Sequence, residues 1–307
     1  RGYTNACLTT NPDAHGGGFG YSGMGPHRGG QAELVRVPYA DFNCLKLPGK
    51  PGDELEDDFL LLSDVFPTGY HATEQAHVRP GDTVAIFGAG PVGLLSALSA
   101  RLKGASEIYV VDAVPDRLGL VEQIEGAVPV DFSRGDPVEQ ILALREPHRR
   151  YVQDLRPGSG KKMPGVMCAI DAVGYESWAD EAAGERQRPG QVLEDAVRIT
   201  NPTGHVSLIG VYFPEDPGGV NEDEKQGLFT LPLGLAWNKG ISFEMGQCPV
   251  KRYNVYLRDL IIAGLVKPSF FVSHRLPLEK APEAYELFDR RARGYTKVLL
   301  KPEMRAA

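Results

Sequence analysis

The sequence predicts an α/β protein whose larger part is a doubly wound, mostly parallel β-sheet. Apolar runs of strand length at 83–87, 108–111 and 206–211 alternate with stretches of helical periodicity, and such alternation is typical of βαβ units. A glycine-rich turn at 88–93 also joins the first apolar run to the helical stretch that follows it. Together these observations indicate a nucleotide-binding sheet.

The individual elements follow from local composition. Residues 1–50 are rich in Gly, Pro and Tyr, with short apolar stretches at 32–38 and 44–47, which predicts strands and turns. Helical patterns lie at 68–76, 94–102, 191–199, 253–263 and 282–290, and further strand patterns lie at 166–173, 269–274 and 296–300. The alternation of strands and helices therefore predicts a dinucleotide-type sheet in the middle of the chain.

Composition excludes several classes of protein. Hydrophobic residues make up 42% and charged residues 24% of the chain, and the net charge of −7 disfavours general binding to nucleic acid or anionic membranes. No apolar run reaches the ~20 residues that span a bilayer. The four cysteines are far apart and form no Cys-x-x-Cys pair, so we expect reduced thiols and a cytoplasmic protein. The first residue is not Met, which suggests a fragment.

The glycine turn has the spacing of a dinucleotide site. Gly88 permits the tight turn, Gly90 lets the pyrophosphate approach the backbone, and Gly93 lets helix and strand pack closely. The helix then points its N-terminal amides at the phosphates, with Pro91 and Val92 in its first turn. Alone this pattern is weak, but Asp112 ends the next predicted strand, where a carboxylate can accept hydrogen bonds from the adenosine ribose.

The choice of nucleotide depends on Asp112 and its surroundings. A carboxylate there repels a 2′-phosphate, so NAD is favoured over NADP. Arg117 is the counter-argument, because a nearby guanidinium can hold that phosphate. Another nucleotide-like ligand, such as S-adenosylmethionine, is the alternative for a sheet of this kind.

Longer strings carry a family resemblance. Residues 78–84 running into the glycine turn, and Gly29-Gly30-Gln31-Ala32-Glu33, resemble the zinc-containing medium-chain alcohol dehydrogenases, which combine a Rossmann sheet with a GroES-like catalytic domain. Within that superfamily the strings at 7–12, 62–71 and 246–254 resemble the glutathione-independent formaldehyde dehydrogenases and aldehyde dismutases. The resemblance covers nearly the whole chain, and it implies an NAD-binding domain at 67–248 flanked by two segments, 1–66 and 249–307, of one mainly β catalytic domain.

The resemblance implies zinc ligands. Asp64 matches the third ligand of the catalytic zinc, and a carboxylate is an acceptable one; its structural alternative is an N-cap for the helix at 68–76. Cys7 matches the last of four cysteines around a structural zinc. The other ligands of both metals are expected upstream of this chain, which alone is expected to be inactive.

The resemblance also places residues around the cofactor. Thr68 is expected beside the nicotinamide ring, while core packing is the equal alternative for two of the residues at the strand ends, Val173 and Ile209. The residues expected to line the cofactor cleft or close over the nicotinamide side are Val173, Ile209, Gly210, Val211, Met245, Gly246 and Gln247. The segment 175–194 resembles a loop over the adenine end, although Trp178 and Asp180 depart from the family's more basic residues, and the basic segment 145–165 has no assigned role.

The activity implied is zinc-assisted hydride transfer between NAD and an alcohol or aldehyde of the formaldehyde type, with dismutation if NADH stays bound. The small-molecule substrate is the expected partner, in a homodimer or homotetramer. Two alternatives remain: a nucleotide-binding chain without zinc chemistry, and a zinc-free quinone reductase relative.

Overall fold

The computed structural model describes residues 5–10, 16–20, 24–25, 27–146, 163–177, 188–214, 216, 219 and 221–302. The chain forms two compact units, one of Gly69–Gly246 and one of Arg1–Thr68 with Gln247–Ala307. Most of the basic segment 145–165, and Trp178 and Asp180 of the 175–194 loop, lie outside the described residues.

The larger unit is built on one six-stranded parallel sheet, which confirms the predicted fold class. The strand order is β3-β2-β1-β4-β5-β6, so successive strands are added to one side of β1 up to β3 and to its other side from β4 onward. The strands are β1 (Thr83–Phe87), β2 (Glu107–Asp112), β3 (Ala127–Asp131), β4 (Val166–Asp171), β5 (Thr200–Leu208) and β6 (Ser242–Met245). In such a sheet, ligands bind beyond the carboxyl ends of the strands at the point where the strand order reverses.

Helices join and cover these strands. They are α4 (Pro91–Leu102), α5 (Pro115–Val121), α6 (Pro137–Arg145), α7 (Gln191–Ile199) and α8 (Leu233–Lys239), while α3 (Val65–Gln75) precedes the sheet. All five residues of β1 are buried, which is why its sequence is continuously apolar. Pro91 starts α4, where its missing N–H costs no hydrogen bond.

The smaller unit has short helices and one small sheet. Its elements are α1 (Ala40–Asn43), α2 (Glu56–Leu60), α9 (Asn254–Ile262), α10 (Ala281–Asp289) and the parallel pair β7 (His274–Pro277) and β8 (Val298–Lys301). Cys7 and Gly17 form an isolated antiparallel bridge. The predicted tail helices and the last strand are confirmed.

Three predicted strands are wrong. Residues 32–38 and 44–47 pair with no strand in the described part of the chain, and Leu34 is 87% exposed. Their apolar side chains have no partner surface here to stabilise a ladder, and β propensity depends on such packing. The stretch 269–274 is mostly a 3₁₀ helix, Pro268–Phe271.

Within the larger unit, the boundaries shift. Strand β5 begins at Thr200, six residues before the predicted start, because it continues directly from α7 and pairs with β4 across an irregular register. The sequence patterns did not indicate β3 or β6. No helix in the described ranges combines the length and the apolar character needed to cross a bilayer.

Candidate active site

The glycine turn lies at the carboxyl end of β1, as its spacing predicts. Gly88 has φ +95°, a conformation that favours glycine, and its N–H donates to the Val111 carbonyl over 2.7 Å. A Cβ on Gly93 would overlap the Gly88 carbonyl oxygen, whereas a Cβ on Gly90 would meet no heavy atom within 4 Å. The space beside Gly93 is therefore filled by the backbone, whereas the space beside Gly90, in front of the α4 N-terminus, is open.

Asp112 is held at the end of β2 by backbone amides. Its Oδ2 accepts from Ala89 N over 2.8 Å, and its Oδ1 accepts from Ala113 N and Val114 N over 2.8 and 2.9 Å. Arg117 Nη1 lies 3.8 Å from Oδ2. The carboxylate is thus fixed beside the glycine turn, and the guanidinium that could have held a 2′-phosphate is paired with it.

The remaining strand ends carry the other predicted cofactor residues of the larger unit. Val173 follows β4, and its Cγ2 lies 2.8 Å from where a Cβ on Gly88 would stand. It also packs against the sheet core, which is the alternative role that the sequence allows for this residue. Ile209, Gly210 and Val211 follow β5, Met245 ends β6 with 64% exposure, and Gly246 comes next. The structure therefore brings the glycine turn, Asp112, Val173 and residues 209–211 to the same edge of the sheet; Gln247 belongs to the smaller unit.

In the smaller unit, Asp64 and Thr68 form a pair. Asp64 lies between the 3₁₀ helix Leu61–Ser63 and α3, and its Oδ1 is 2.9 Å from Thr68 Oγ1, which is also 2.8 Å from the Asp64 carbonyl. Within the described ranges, the carboxylate contacts this hydroxyl and no backbone amide of α3. The N-cap alternative for the Asp64 side chain therefore has no hydrogen bond to support it.

Two further side chains share this environment. Burial raises the pKa of the Cys248 thiol to about 12. A hydrogen bond with Thr68 lowers this pKa, and the Asp64 charge raises it further. Burial lowers the pKa of Lys297, and the Asp64 charge opposes that effect. The Asp64 charge thus acts on both Cys248 and Lys297, which belong to the same unit.

The fit of these residues to zinc is incomplete. No group of three or more His, Cys, Asp or Glu side chains in the described residues could hold a metal ion. Cys7 is exposed, and its Sγ lies 3.0 Å from Thr10 Oγ1, whose hydrogen bonds lower the pKa of the thiol. The described residues therefore offer single candidate ligands, and no reaction step can be derived through a metal from them.

The sequence interpretation missed two features. It did not single out Lys297, and it gave no role to Asp171, a fully buried carboxylate at the end of β4. The available signal for Asp171 was the same as for Asp112: a carboxylate that directly ends an apolar strand.

Known proteins resemble the chain over most of its length. No protein-family model matches it. The glutathione-independent formaldehyde dehydrogenase of Pseudomonas aeruginosa is 42% identical over 291 residues, which is 94% of this chain and 69% of that protein. The formaldehyde dismutase of Pseudomonas putida is 35% identical over 287 residues, or 91% of this chain and 67% of that protein.

A solved structure agrees. The alcohol dehydrogenase from Thermus sp. ATN1 superposes with a TM-score of 0.68 at 30% identity, covering 92% of this chain and 68% of the other. The sequence resemblance is therefore confirmed by identity, coverage and fold together. The chain belongs to the zinc-containing medium-chain alcohol dehydrogenases, the oxidoreductases of alcohols and aldehydes whose cofactors are NAD and zinc.

Proposed function

We propose that the enzyme oxidises formaldehyde or a similarly small aldehyde with NAD. One observation of the site supports the cofactor half of this proposal: Asp112 is fixed against the glycine turn by its bond to Ala89 N. The substrate half is supported by relatives named formaldehyde dehydrogenase and formaldehyde dismutase at 42% and 35% identity.

The larger unit, with domain bounds we assign as 67–248, would hold the dinucleotide. The open space at Gly90 would admit the pyrophosphate to the amides of the α4 N-terminus, which carry partial positive charge. Asp112 has its Oδ1 occupied by two amides and its Oδ2 by one, so Oδ2 retains capacity for a ribose hydroxyl. Val173, Ile209, Gly210 and Val211 would line the rest of the cleft.

We assign the metal-binding roles as proposals. Asp64 would supply one ligand to a catalytic zinc and Cys7 one to a structural zinc, with the other ligands outside the described residues. Thr68 would act beside the nicotinamide, and its bond to Asp64 fixes the rotamers of both side chains. Met245, Gly246 and Gln247 would cover the nicotinamide.

The chemistry balances as follows. Formaldehyde hydrate gives a hydride to NAD⁺ and loses a proton, which yields formic acid, NADH and H⁺. If NADH stays bound, a second formaldehyde takes the hydride and a proton, which yields methanol and regenerates NAD⁺. Dismutation therefore consumes no net cofactor.

The test combines metal analysis with product analysis, on the chain and on protein from its complete reading frame. We expect protein from the complete frame to contain two zinc ions per subunit and to convert ¹³C-formaldehyde with NAD⁺ to formate, with methanol in equal amount if NADH is retained. Asp64→Asn should lower the zinc content, while Asp41→Asn, an exposed carboxylate of the same unit, should not. NADH released stoichiometrically on each turnover, without methanol, would exclude dismutation.

The second candidate function is NAD binding without zinc chemistry. It is favoured by the lack of a three-ligand group in the described part of the chain. Absence of zinc from both preparations with NADH still bound would support this candidate, and a preference for NADPH would then indicate a zinc-free reductase.

We further propose a homodimer or homotetramer in the cytoplasm. Strand β6 is an edge of the sheet, and the neighbouring helix α8 carries exposed apolar side chains: Leu233 and Trp237 are 65% and 82% exposed. Exposed apolar surface of this kind marks interaction sites. Free thiols at all four cysteines fit a reducing compartment. Light scattering of Trp237→Glu against the wild type tests the association.

A further inference from the structure

One buried carboxylate connects two strand ends of the larger unit. Asp171 Oδ1 accepts from Val173 N and Gly174 N, both over 2.9 Å, and its Oδ2 accepts from Tyr212 Oη over 2.7 Å. Its backbone carbonyl accepts from Ile209 N and Gly210 N over 3.1 and 2.8 Å. One residue therefore receives hydrogen bonds from the segment after β4 and from the segment after β5.

These two segments pack very closely together. Gly174 has φ +77°, and a Cβ there would overlap the Val211 carbonyl oxygen. Tyr175 N donates to the same oxygen over 3.1 Å. No side chain fits between the segments at Gly174, and backbone hydrogen bonds together with the bonds to Asp171 hold them together.

The same arrangement extends to the glycine turn. Ala172 N donates to the Phe87 carbonyl over 2.9 Å, and Val173 Cγ2 lies 2.8 Å from a Cβ position on Gly88. A shift of the segment after β4 would therefore displace Val173 relative to the turn. Asp171 therefore connects two of the surfaces that our proposed function gives to the dinucleotide, and the backbone of Ala172 connects them to the third.

Burying the Asp171 carboxylate costs free energy, which indicates that this side chain does more than end a strand. A fully buried carboxylate without a cationic partner is costly, and no Lys, Arg or His in the described ranges pairs with Asp171. Burial raises the pKa of Asp171, and the bonds from Gly174, Tyr212 and Val173 only partly oppose that effect. A short apolar residue could end a parallel strand without this cost.

We propose that Asp171, with Tyr212, is a positioning residue for the bound dinucleotide. It touches no reacting atom; it sets the spacing of the segments 172–175 and 209–212 into which the cofactor fits. This inference rests on the proposed cofactor site and adds a determinant of affinity within it.

The test compares two tyrosine variants of the complete chain. Tyr212→Phe removes only the hydroxyl that reaches Asp171, and Tyr109→Phe is the matched control, because its hydroxyl reaches the Glu107 carboxylate over 3.1 Å at the opposite end of β2 from Asp112. The measurements are the Kd for NADH by fluorescence titration, the emission maximum of bound NADH, and the Tm without ligand.

We expect Tyr212→Phe to weaken NADH binding about fivefold or more, the equivalent of one net hydrogen bond, and to change the emission of bound NADH. Tyr109→Phe should lower Tm similarly and keep the wild-type Kd. Asp171→Asn retains an oxygen for Val173 N and Gly174 N and an NH₂ that can donate to the tyrosine oxygen, so its Kd should lie between those of wild type and Tyr212→Phe.

Wild-type Kd and emission in Tyr212→Phe, or equal weakening by Tyr109→Phe, would overturn the positioning role. If Asp171→Asn does not fold, the tyrosine pair decides alone. A wild-type chain that does not bind NADH would contradict the proposed function instead.

Discussion

Exchanging Gly90 for alanine should weaken cofactor binding and leave the folded chain intact. Gly90 has φ −69° and ψ 179°, which alanine adopts without strain, and a Cβ there would meet no heavy atom within 4 Å. In the absence of ligand the variant therefore loses no packing. A Gly→Ala exchange at a compatible position stabilises a protein by about 0.4–1 kcal/mol through the unfolded state.

The effect on binding follows from the space that the new methyl group occupies. In the proposed site this space admits the pyrophosphate to the amides at the start of α4. A hydrogen bond to a charged group contributes about 1.5–3 kcal/mol, so the loss of one raises Kd by about 10- to 150-fold. Gly90→Ala should therefore uncouple affinity from stability.

The assay is NADH fluorescence titration together with thermal unfolding of each variant. Gly119→Ala is the control, because its Cβ also meets no heavy atom within 4 Å but lies within α5 and outside the glycine turn; its Kd should equal that of the wild type. Gly93→Ala should lose both affinity and Tm, since its Cβ would overlap the Gly88 carbonyl oxygen. A wild-type Kd for Gly90→Ala would show that the pyrophosphate does not approach this turn.

Three further outcomes are expected. Asp112→Asn should weaken NADH binding about tenfold and improve NADPH binding, since the repelling charge is lost and Arg117 is released; an unchanged ratio of the two Kd values would contradict the ribose assignment. Arg145→Met should lower the free energy of unfolding in urea by about 3–5 kcal/mol, because it removes one partner of a buried ion pair in which Arg145 Nε lies 3.2 Å from Glu107 Oε2. Burial raises the pKa of the Cys168 thiol from 9.0 to about 12. The folded protein therefore binds this proton more tightly than the unfolded chain, and the free energy of unfolding falls as pH rises from about 9 to about 12. Cys168→Ala should make that fall less steep, and the same dependence on pH in the variant would contradict the raised pKa.

The sheet and the turn could be predicted because their physical requirements are local. Strand β1 is buried on both faces and therefore has a continuously apolar sequence. The positive φ at residue 88 favours glycine, and at residue 93 a Cβ would overlap the Gly88 carbonyl oxygen. These constraints act within one stretch of chain, so they leave a pattern that can be read without knowing the partners.

The smaller unit was harder to predict for the converse reason. Residues 32–38 have the composition of a strand, but a strand also needs a neighbour, and the described residues provide none. Strands β3 and β6 were missed because β3 contains Pro129 and β6 is short and largely exposed. In these elements the pairing, rather than the residue types, determines the structure.

Asp112 and Asp171 show where this boundary falls within one site. Both end a buried strand, and both accept two backbone amides from the residues that follow. Asp112 also accepts from Ala89 N, which belongs to the glycine turn, and the spacing of that turn predicts the position of Asp112. The third donor to the Asp171 carboxylate is the hydroxyl of Tyr212, 41 residues away. The two side chains meet because β4 and β5 are neighbours in the sheet. A carboxylate that ends an apolar strand therefore indicates a structural or functional role by itself, because burying its charge costs free energy wherever its partners lie in the sequence. The sheet topology then shows which segments the carboxylate connects.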